Sequence, residues 1–213
     1  MTDNIDKYNK GNATVKNGAD DQKSDKTDNL ENNIEDNERK MVDVIIPTYR
    51  PAKEFGELLH RLEKQEYRPN RILVMNTGKE YWNSEWENYP LLEVHHLDQK
   101  DFDHGGTRKR AAELSTADIM VFMTQDALPA DRKMIGNLVR AVSRNSGTGA
   151  AYARQLPNAD CRFLERYTRS FNYPEQSSVK SLSDVETYGI KTYFCSNVCA
   201  AYDREIYQKI GGF

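Results

Sequence analysis

The sequence predicts an α/β domain built on a mostly parallel sheet and preceded by a polar segment. Three observations carry this expectation. Short apolar runs alternate with stretches whose apolar residues recur at helical spacing. Proline and glycine punctuate the boundaries between them. Polar, turn-forming residues follow three of the apolar runs, as they do at the carboxyl ends of parallel strands.

The elements follow in order. Val42 to Ile46 is a short apolar run ended by Pro47, which reads as a buried strand. Pro51 suits the first turn of a helix, and Phe55, Leu58, Leu59 and Leu62 continue it at helical spacing. Pro69-Asn70 breaks that pattern, and Arg71 to Met75 reads as a second strand. Leu91 to Leu97 gives a third. Gly105-Gly106 opens a helix that runs through Leu114. Asp118 to Thr124 is a fourth strand, and Met134, Leu138 and Val142 mark a helix closed by Gly147. A weaker strand is expected over Ala150 to Leu156, and a late one over Tyr193 to Ala201.

Residues 1–40 differ from the rest. They hold ten acids, seven bases, eight asparagines and one aromatic residue, Tyr8. Such a segment buries too little apolar surface to offset its ordering entropy, so a disordered polar tail is expected there, with the domain over 41–213. The net charge of -3 gives no basic footprint for nucleic acid. The apolar runs are far shorter than the ~20 residues of a membrane helix. The polar start MTDNIDKYNK is unlike a secretory signal, and Cys161, Cys195 and Cys199 are odd in number. Free thiols in a cytoplasmic setting are the expectation.

Chemistry is expected where the strands end: Pro47-Thr48-Tyr49-Arg50, Asn76-Thr77-Gly78 and Thr124-Gln125-Asp126. HGGTRKRA, residues 104–111, adds paired glycines, a helix N-terminus and three cationic residues. That combination suits an anion, and a guanidinium can grip phosphate oxygens with two donors. It also suits a glycine turn followed by a solvated basic face. The stretch matches neither a Rossmann GxGxxG nor a Walker motif. Asp126 reads, taken alone, as a turn residue ahead of a metal ligand. One carboxylate holds Mg²⁺ when substrate phosphates supply further oxygens.

These stretches together resemble family 2 glycosyltransferases. VDVIIPTYRP (42–51) is similar to the opening strand, whose usual ending is P-T-Y-N. ILVMNTG (72–78) resembles the second strand, where an aspartate often stands at the position of Asn76. HGGTRKRAAELSTADIMVFMTQDALP (104–129) resembles the glycine-arginine helix, the next strand and the metal motif. FCSNVCAAYDREIYQKIGGF (194–213) resembles the late strand and its G-G-F turn. The HGGTR and TQDALP forms look most like bacterial rhamnosyltransferases.

The resemblance implies a GT-A fold and sugar transfer from a nucleoside-diphosphate donor, dTDP-rhamnose or a UDP-sugar. The acceptor would be a saccharide or a lipid-linked one, in surface-polysaccharide synthesis at the inner face of the membrane. By position, Pro47, Thr48 and Tyr49 would line the nucleotide pocket and Asn76 would lie near the base. Arg108, with His104, would approach the diphosphate, and Gln125 would join the donor site. Asp126 would bind Mg²⁺ or Mn²⁺, and the reaction would be inverting. Thr124 departs from the first acid of the D-x-D motif, Asn76 from the frequent aspartate, and Arg50 and Lys109 from common asparagines. In the family the general base follows G-G-F by a few residues, past Phe213, so no base is named here. A nucleotide-sugar-binding fragment without that base, and an unrelated α/β nucleotide-binding module, are the competing readings.

Four further features have local readings. Cys195 and Cys199 lack a second pair for zinc and suit burial in a strand. Asp101, Asp103 and His104 suit a polar loop before the glycine turn. Trp82 and Trp86 suit core or lid packing ahead of stacking on a sugar or base. Arg162, Arg166 and Arg169 share a helix face that is either solvated or turned to an acidic membrane surface or a lipid-diphosphate acceptor.

Overall fold

Val42–Tyr49 (β1) is the strand around which the other elements are arranged. The computed structural model describes residues 39–157 and 161–213. The expected tail therefore lies outside the described residues, apart from Arg39 and Lys40. The backbone is already fixed at Lys40, whose carbonyl accepts a hydrogen bond from Tyr67 Oη at 2.6 Å.

β1 pairs in parallel with Arg71–Thr77 (β2) on one side and Ile119–Met123 (β4) on the other. β2 pairs in parallel with Leu92–Leu97 (β3). Beyond β4 the sheet changes sense: Cys199–Asp203 (β6) runs antiparallel to both β4 and Ala150–Tyr152 (β5). The order is β3-β2-β1-β4-β6-β5, a six-stranded mixed sheet. β1 and β2 are near-continuous runs of apolar residues because both of their faces are covered.

One face carries Val42, Val44, Ile46, Ile72, Val74, Ile119 and Val121. The helices Glu54–Glu63 (α1) and Met134–Val142 (α3) bury Phe55, Leu58, Leu59, Leu62, Ile135, Leu138, Val139 and Val142 against it. The opposite face carries Ile45, Leu73, Met75, Met120 and Phe122, covered by Ala111 and Ala112 of His104–Leu114 (α2) and by Tyr207. The period-two alternation along each strand thus serves two separate cores. The remaining helices are Phe163–Asn172 (α4), Val185–Tyr188 (α5) and Arg204–Lys209 (α6).

Several boundaries differ from the sequence reading. β1 runs through Pro47 to Tyr49, because its ladder with β4 ends at Ile45 and the proline sits where pairing on that side has stopped. Pro51 precedes α1 rather than starting it. α2 begins one residue early, at His104, with Asp103 as its cap. The expected strand over Ala150 to Leu156 holds only three residues. The expected strand over Tyr193 to Ala201 starts instead at Cys199, after a 3-10 turn over Gly189–Tyr193. The tryptophans lie near or in short 3-10 turns, not on a longer helix. Trp86 is buried edge-on against Phe55 and Trp82, with ring centroids 5.0 Å apart in each pair. Cys199 is buried in β6, where desolvation pushes its thiol up to about 12.

Candidate functional site

The carboxyl ends of β1 and β2 meet in a buried polar network. Register places Thr48 opposite Asn76, and Thr48 Oγ1 donates to Asn76 Oδ1 at 2.9 Å. Asn76 Nδ2 then donates to the Gly78 carbonyl at 3.2 Å and lies 3.0 Å from His96 Nδ1. A carbonyl oxygen can only accept, so the amide orientation is settled, and His96 Nδ1 must be the unprotonated nitrogen. Burial, then the nearby Lys79 charge, hold the His96 ring below its ordinary range, which agrees with that neutral form. Pro47 is half-buried beside this network.

Tyr49 and the loop after β4 are joined by a second device. The Tyr49 amide donates to Gln125 Oε1 at 2.8 Å, and Gln125 Nε2 donates back to the Tyr49 carbonyl at 3.1 Å. The next residue, Arg50, adopts a φ of 47°, an uncommon conformation without glycine. Its guanidinium donates to Tyr81 Oη at 2.7 Å and lies 4.4 Å from the Tyr81 ring centroid. Tyr49 packs edge-on to the same ring. The turn therefore presents a cation between two aromatic faces.

Asp126 follows Gln125 and is exposed. Among the described residues its carboxylate has no hydrogen-bond or ion-pair partner, and no three His, Cys, Asp or Glu side chains gather into a metal-sized cluster. The donor set for a divalent cation is thus one protein carboxylate. That fits Mg²⁺ or Mn²⁺ where phosphate oxygens complete the shell, and it does not fit an all-protein cage.

At the start of α2 the glycines have a local task. The Asp103 carboxylate accepts a hydrogen bond from the Gly106 amide, and a Cβ on Gly106 would come within 2.6 Å of that carboxylate. The cap accounts for Gly106 without any ligand. Asp103 thereby belongs to the helix end, as the polar-loop reading expected. Arg108 lies one turn on and donates from Nη1 to the His104 carbonyl at 2.8 Å. Its Nε is buried without a hydrogen-bond partner, and burial pushes the guanidinium's pKa down. No hydrogen bond between described residues ties His104 or Arg108 to the strand-end groups.

Arg50 was among the strand-end residues singled out in the sequence, whereas Tyr81, His96 and Tyr202 were absent from the sequence-derived site. His96 had a usable signal, since it lies at the end of a predicted strand. Tyr202 had none: its hydroxyl donates to Asn197 Oδ1 at 2.7 Å from an antiparallel strand. A separate cavity of about 590 Å³ runs along β5, lined by Tyr152, Lys180 and Phe194 among others. None of the predicted site residues lines it.

The model of glycosyl transferase family 2 matches residues 43–211. The chain belongs to that family. The O-antigen chain rhamnosyltransferase RfbN of Salmonella typhimurium is 38% identical over 179 residues, 81% of this chain and 55% of that protein. The O-antigen chain rhamnosyltransferase WbaN of Salmonella anatum is 30% identical over 172 residues, 80% of this chain and 54% of that protein. The chain spans about half the length of these curated relatives. Among solved structures, the mannosyltransferase PcManGT from Pyrobaculum calidifontis, in complex with GDP-Man and Mn²⁺, superposes with a TM-score of 0.59. It is 22% identical, and the match covers 82% of this chain and 48% of that one. S. aureus TarS 1-349 in complex with UDP-GlcNAc gives a TM-score of 0.52 at 16% identity, covering 80% and 47%. The family 2 chain therefore has the GT-A fold that its sequence motifs implied.

Proposed function

We propose that this family 2 chain is the donor-binding portion of a glycosyltransferase of surface-polysaccharide assembly. It would take a sugar, rhamnose as the best reading, from a nucleoside diphosphate and pass it to a saccharide or lipid-linked acceptor. The observation that carries this reading is the strand-end arrangement. Asn76 and Thr48 form a fixed polar floor, Gln125 clamps Tyr49, and Asp126 stands beside the clamp without a partner among the described residues. The rhamnosyltransferase names of RfbN and WbaN support the choice of sugar.

In this reading Pro47, Thr48, Tyr49 and Asn76 receive the nucleoside, and the Tyr49–Arg50–Tyr81 group gives it an aromatic and cationic rim. Arg108, with His104 beside it, meets the diphosphate charge. The buried Nε of Arg108 is a donor in want of an acceptor, which a phosphate oxygen would supply. Asp126 would hold Mg²⁺ or Mn²⁺, which neutralises charge on the departing diphosphate. Gln125 fixes the loop that carries Asp126. In an inverting transfer the acceptor hydroxyl loses its proton to a base as its oxygen bonds to the anomeric carbon and the nucleoside diphosphate leaves. No residue described here is assigned that base.

The test is calorimetric titration of the full chain with dTDP-rhamnose and, in parallel, a UDP-sugar, each with and without Mn²⁺. Metal-dependent binding that disappears in Asp126→Ala is the expected result. Equal heats with and without metal would remove Asp126 from the metal site. No binding in a chain shown to be folded would remove the donor reading.

A further inference from the structure

The cavity along β5 holds a cation among aromatic rings. Tyr152 and Phe194 stand edge-on with centroids 5.7 Å apart, and Tyr173 lies 5.8 Å from Phe194 and 6.3 Å from Tyr152. This wall is fixed from behind. Tyr173 Oη donates to Ser196 Oγ at 2.8 Å and accepts from Gln155, whose Oε1 accepts from Arg169 at 2.8 Å. Lys180 is half-buried, with its ammonium 5.9 Å from the centres of the Tyr152 and Phe194 rings. It donates to the Lys191 carbonyl at 2.9 Å and reaches Tyr152 Oη at 3.4 Å. An ammonium has three donors, so one is left over.

Among the described residues no carboxylate pairs with Lys180. The acid in the cavity wall, Glu175, faces Arg154 at 3.4 Å. The Asp184 carboxylate accepts from the amide and hydroxyl of Ser181. An anion would therefore complete the shell of a cation already favoured by the rings. A volume of about 590 Å³ is that of a small-molecule site. Aromatic faces with Gln176, Ser177 and Ser178 at the rim suit a ring with an apolar face and polar edges.

The cavity also lies within reach of the strand-end site. The Thr124 amide donates to the Val198 carbonyl at 3.1 Å, and the Ala153 amide donates to the Cys199 carbonyl at 2.9 Å. The end of β5 and the loop that carries Asp126 thus flank the same point of the chain, two strand spacings or roughly 10 Å apart.

We propose that this cavity binds an acidic saccharide, with its ring against Tyr152 and Phe194 and its carboxylate or phosphate on Lys180. The saccharide would be part of the acceptor. That role rests on the donor reading above, whereas the binding itself does not.

The test is saturation-transfer NMR on the full chain, without metal, using methyl glucuronide, glucose 1-phosphate and methyl glucoside in turn. One of the acidic sugars should bind at least tenfold more tightly than the neutral one, and which of them does so tells carboxylate from phosphate. Lys180→Met should weaken that binding roughly tenfold or more, and Lys180→Arg should keep it. Asp126→Ala should leave it unchanged, which separates this cavity from the donor site. Circular dichroism melts check folding, and Phe194→Leu, which should weaken binding of the acidic sugar, takes the place of Lys180→Met if that variant does not fold. The proposal is overturned by no preference for an acidic sugar, by wild-type binding in Lys180→Met or Phe194→Leu, or by loss of binding in Asp126→Ala. A failed donor titration would leave the cavity result standing and remove only the acceptor role.

Discussion

The Gln125 side chain replaces a stretch of missing sheet opposite Tyr49. β4 pairs with β1 only as far as Phe122 opposite Ile45, yet β1 continues for four more residues. The Gln125 amide supplies one acceptor and one donor to the Tyr49 backbone, as a further strand residue would. Two neutral hydrogen bonds of this kind contribute about 1–3 kcal/mol together. Gln125→Ala is expected to lower stability by about 1–2 kcal/mol. It should weaken metal-dependent donor binding as well, because Asp126 is the next residue. Gln125→Glu should be the worse of the two for binding, since a carboxylate would face the Tyr49 carbonyl. Urea unfolding and donor calorimetry on both variants check this, and unchanged donor affinity in both would detach the clamp from the site.

Much of this was legible in the sequence, for identifiable physical reasons. The strands β1, β2 and β4 are fully buried, so their apolar runs are unbroken and announce themselves. The strand-end residues follow from that pattern alone. The clamp was not legible, because a glutamine in a loop has no periodic signature and its partner is 76 residues away. The role of Gly106 was left open in the sequence between a ligand and a turn, since the Asp103 cap that requires it is visible only in three dimensions. The region from Ala150 to Cys199 was the least legible. β5 is a short edge strand, and α4 turns its apolar side outward, so neither burial pattern nor periodicity marks what covers it.

Asp43 should be the most sensitive polar position of the fold. It is fully buried, accepts from Ser115 Oγ at 2.7 Å, and pairs with Arg71 at 2.9 Å. Asn70 adds a donor at 3.2 Å. Removing one partner of a buried pair leaves the other uncompensated, at a cost of about 3–5 kcal/mol. Asp43→Ala, which strands the Ser115 and Asn70 donors, and Arg71→Met, which leaves the fully buried carboxylate without its counter-charge, are therefore both expected to lose about that much in urea unfolding. Equal and small losses in both variants would show that the network is solvated.

His96 should make stability depend on mildly acidic pH. Its folded pKa is depressed below the ordinary value near 6.5, chiefly by burial. The unfolded chain then binds a proton that the folded chain resists, so stability is complete above about 6.5 and is lost as pH falls below it. Protonation at Nδ1 would also place an N–H against the Asn76 amide donor. Melting temperatures measured from pH 7.5 down to 5 should fall more steeply for the wild-type chain than for His96→Gln. Parallel curves would mean that His96 is solvated in the folded chain.

Arg108 should separate stability from function. Its guanidinium is half-buried, and among the described residues its Nε has no acceptor and its one hydrogen bond runs to the His104 carbonyl in the preceding turn. A half-buried cation whose Nε lacks an acceptor is a modest cost in the unliganded chain, and an unbranched apolar side chain of similar length removes that cost. Arg108→Met is expected to leave stability unchanged or slightly raised. Under the donor reading the same substitution should abolish or strongly weaken nucleoside-diphosphate binding, because a charge-assisted phosphate contact contributes about 1.5–3 kcal/mol. Thermal melts with and without nucleoside diphosphate measure both effects in one experiment. A variant of unchanged or raised stability whose melting no longer shifts with nucleotide would mark Arg108 as kept for binding. A destabilised variant that still shifts would make it a packing residue, and the diphosphate contact would then have to come from elsewhere on α2.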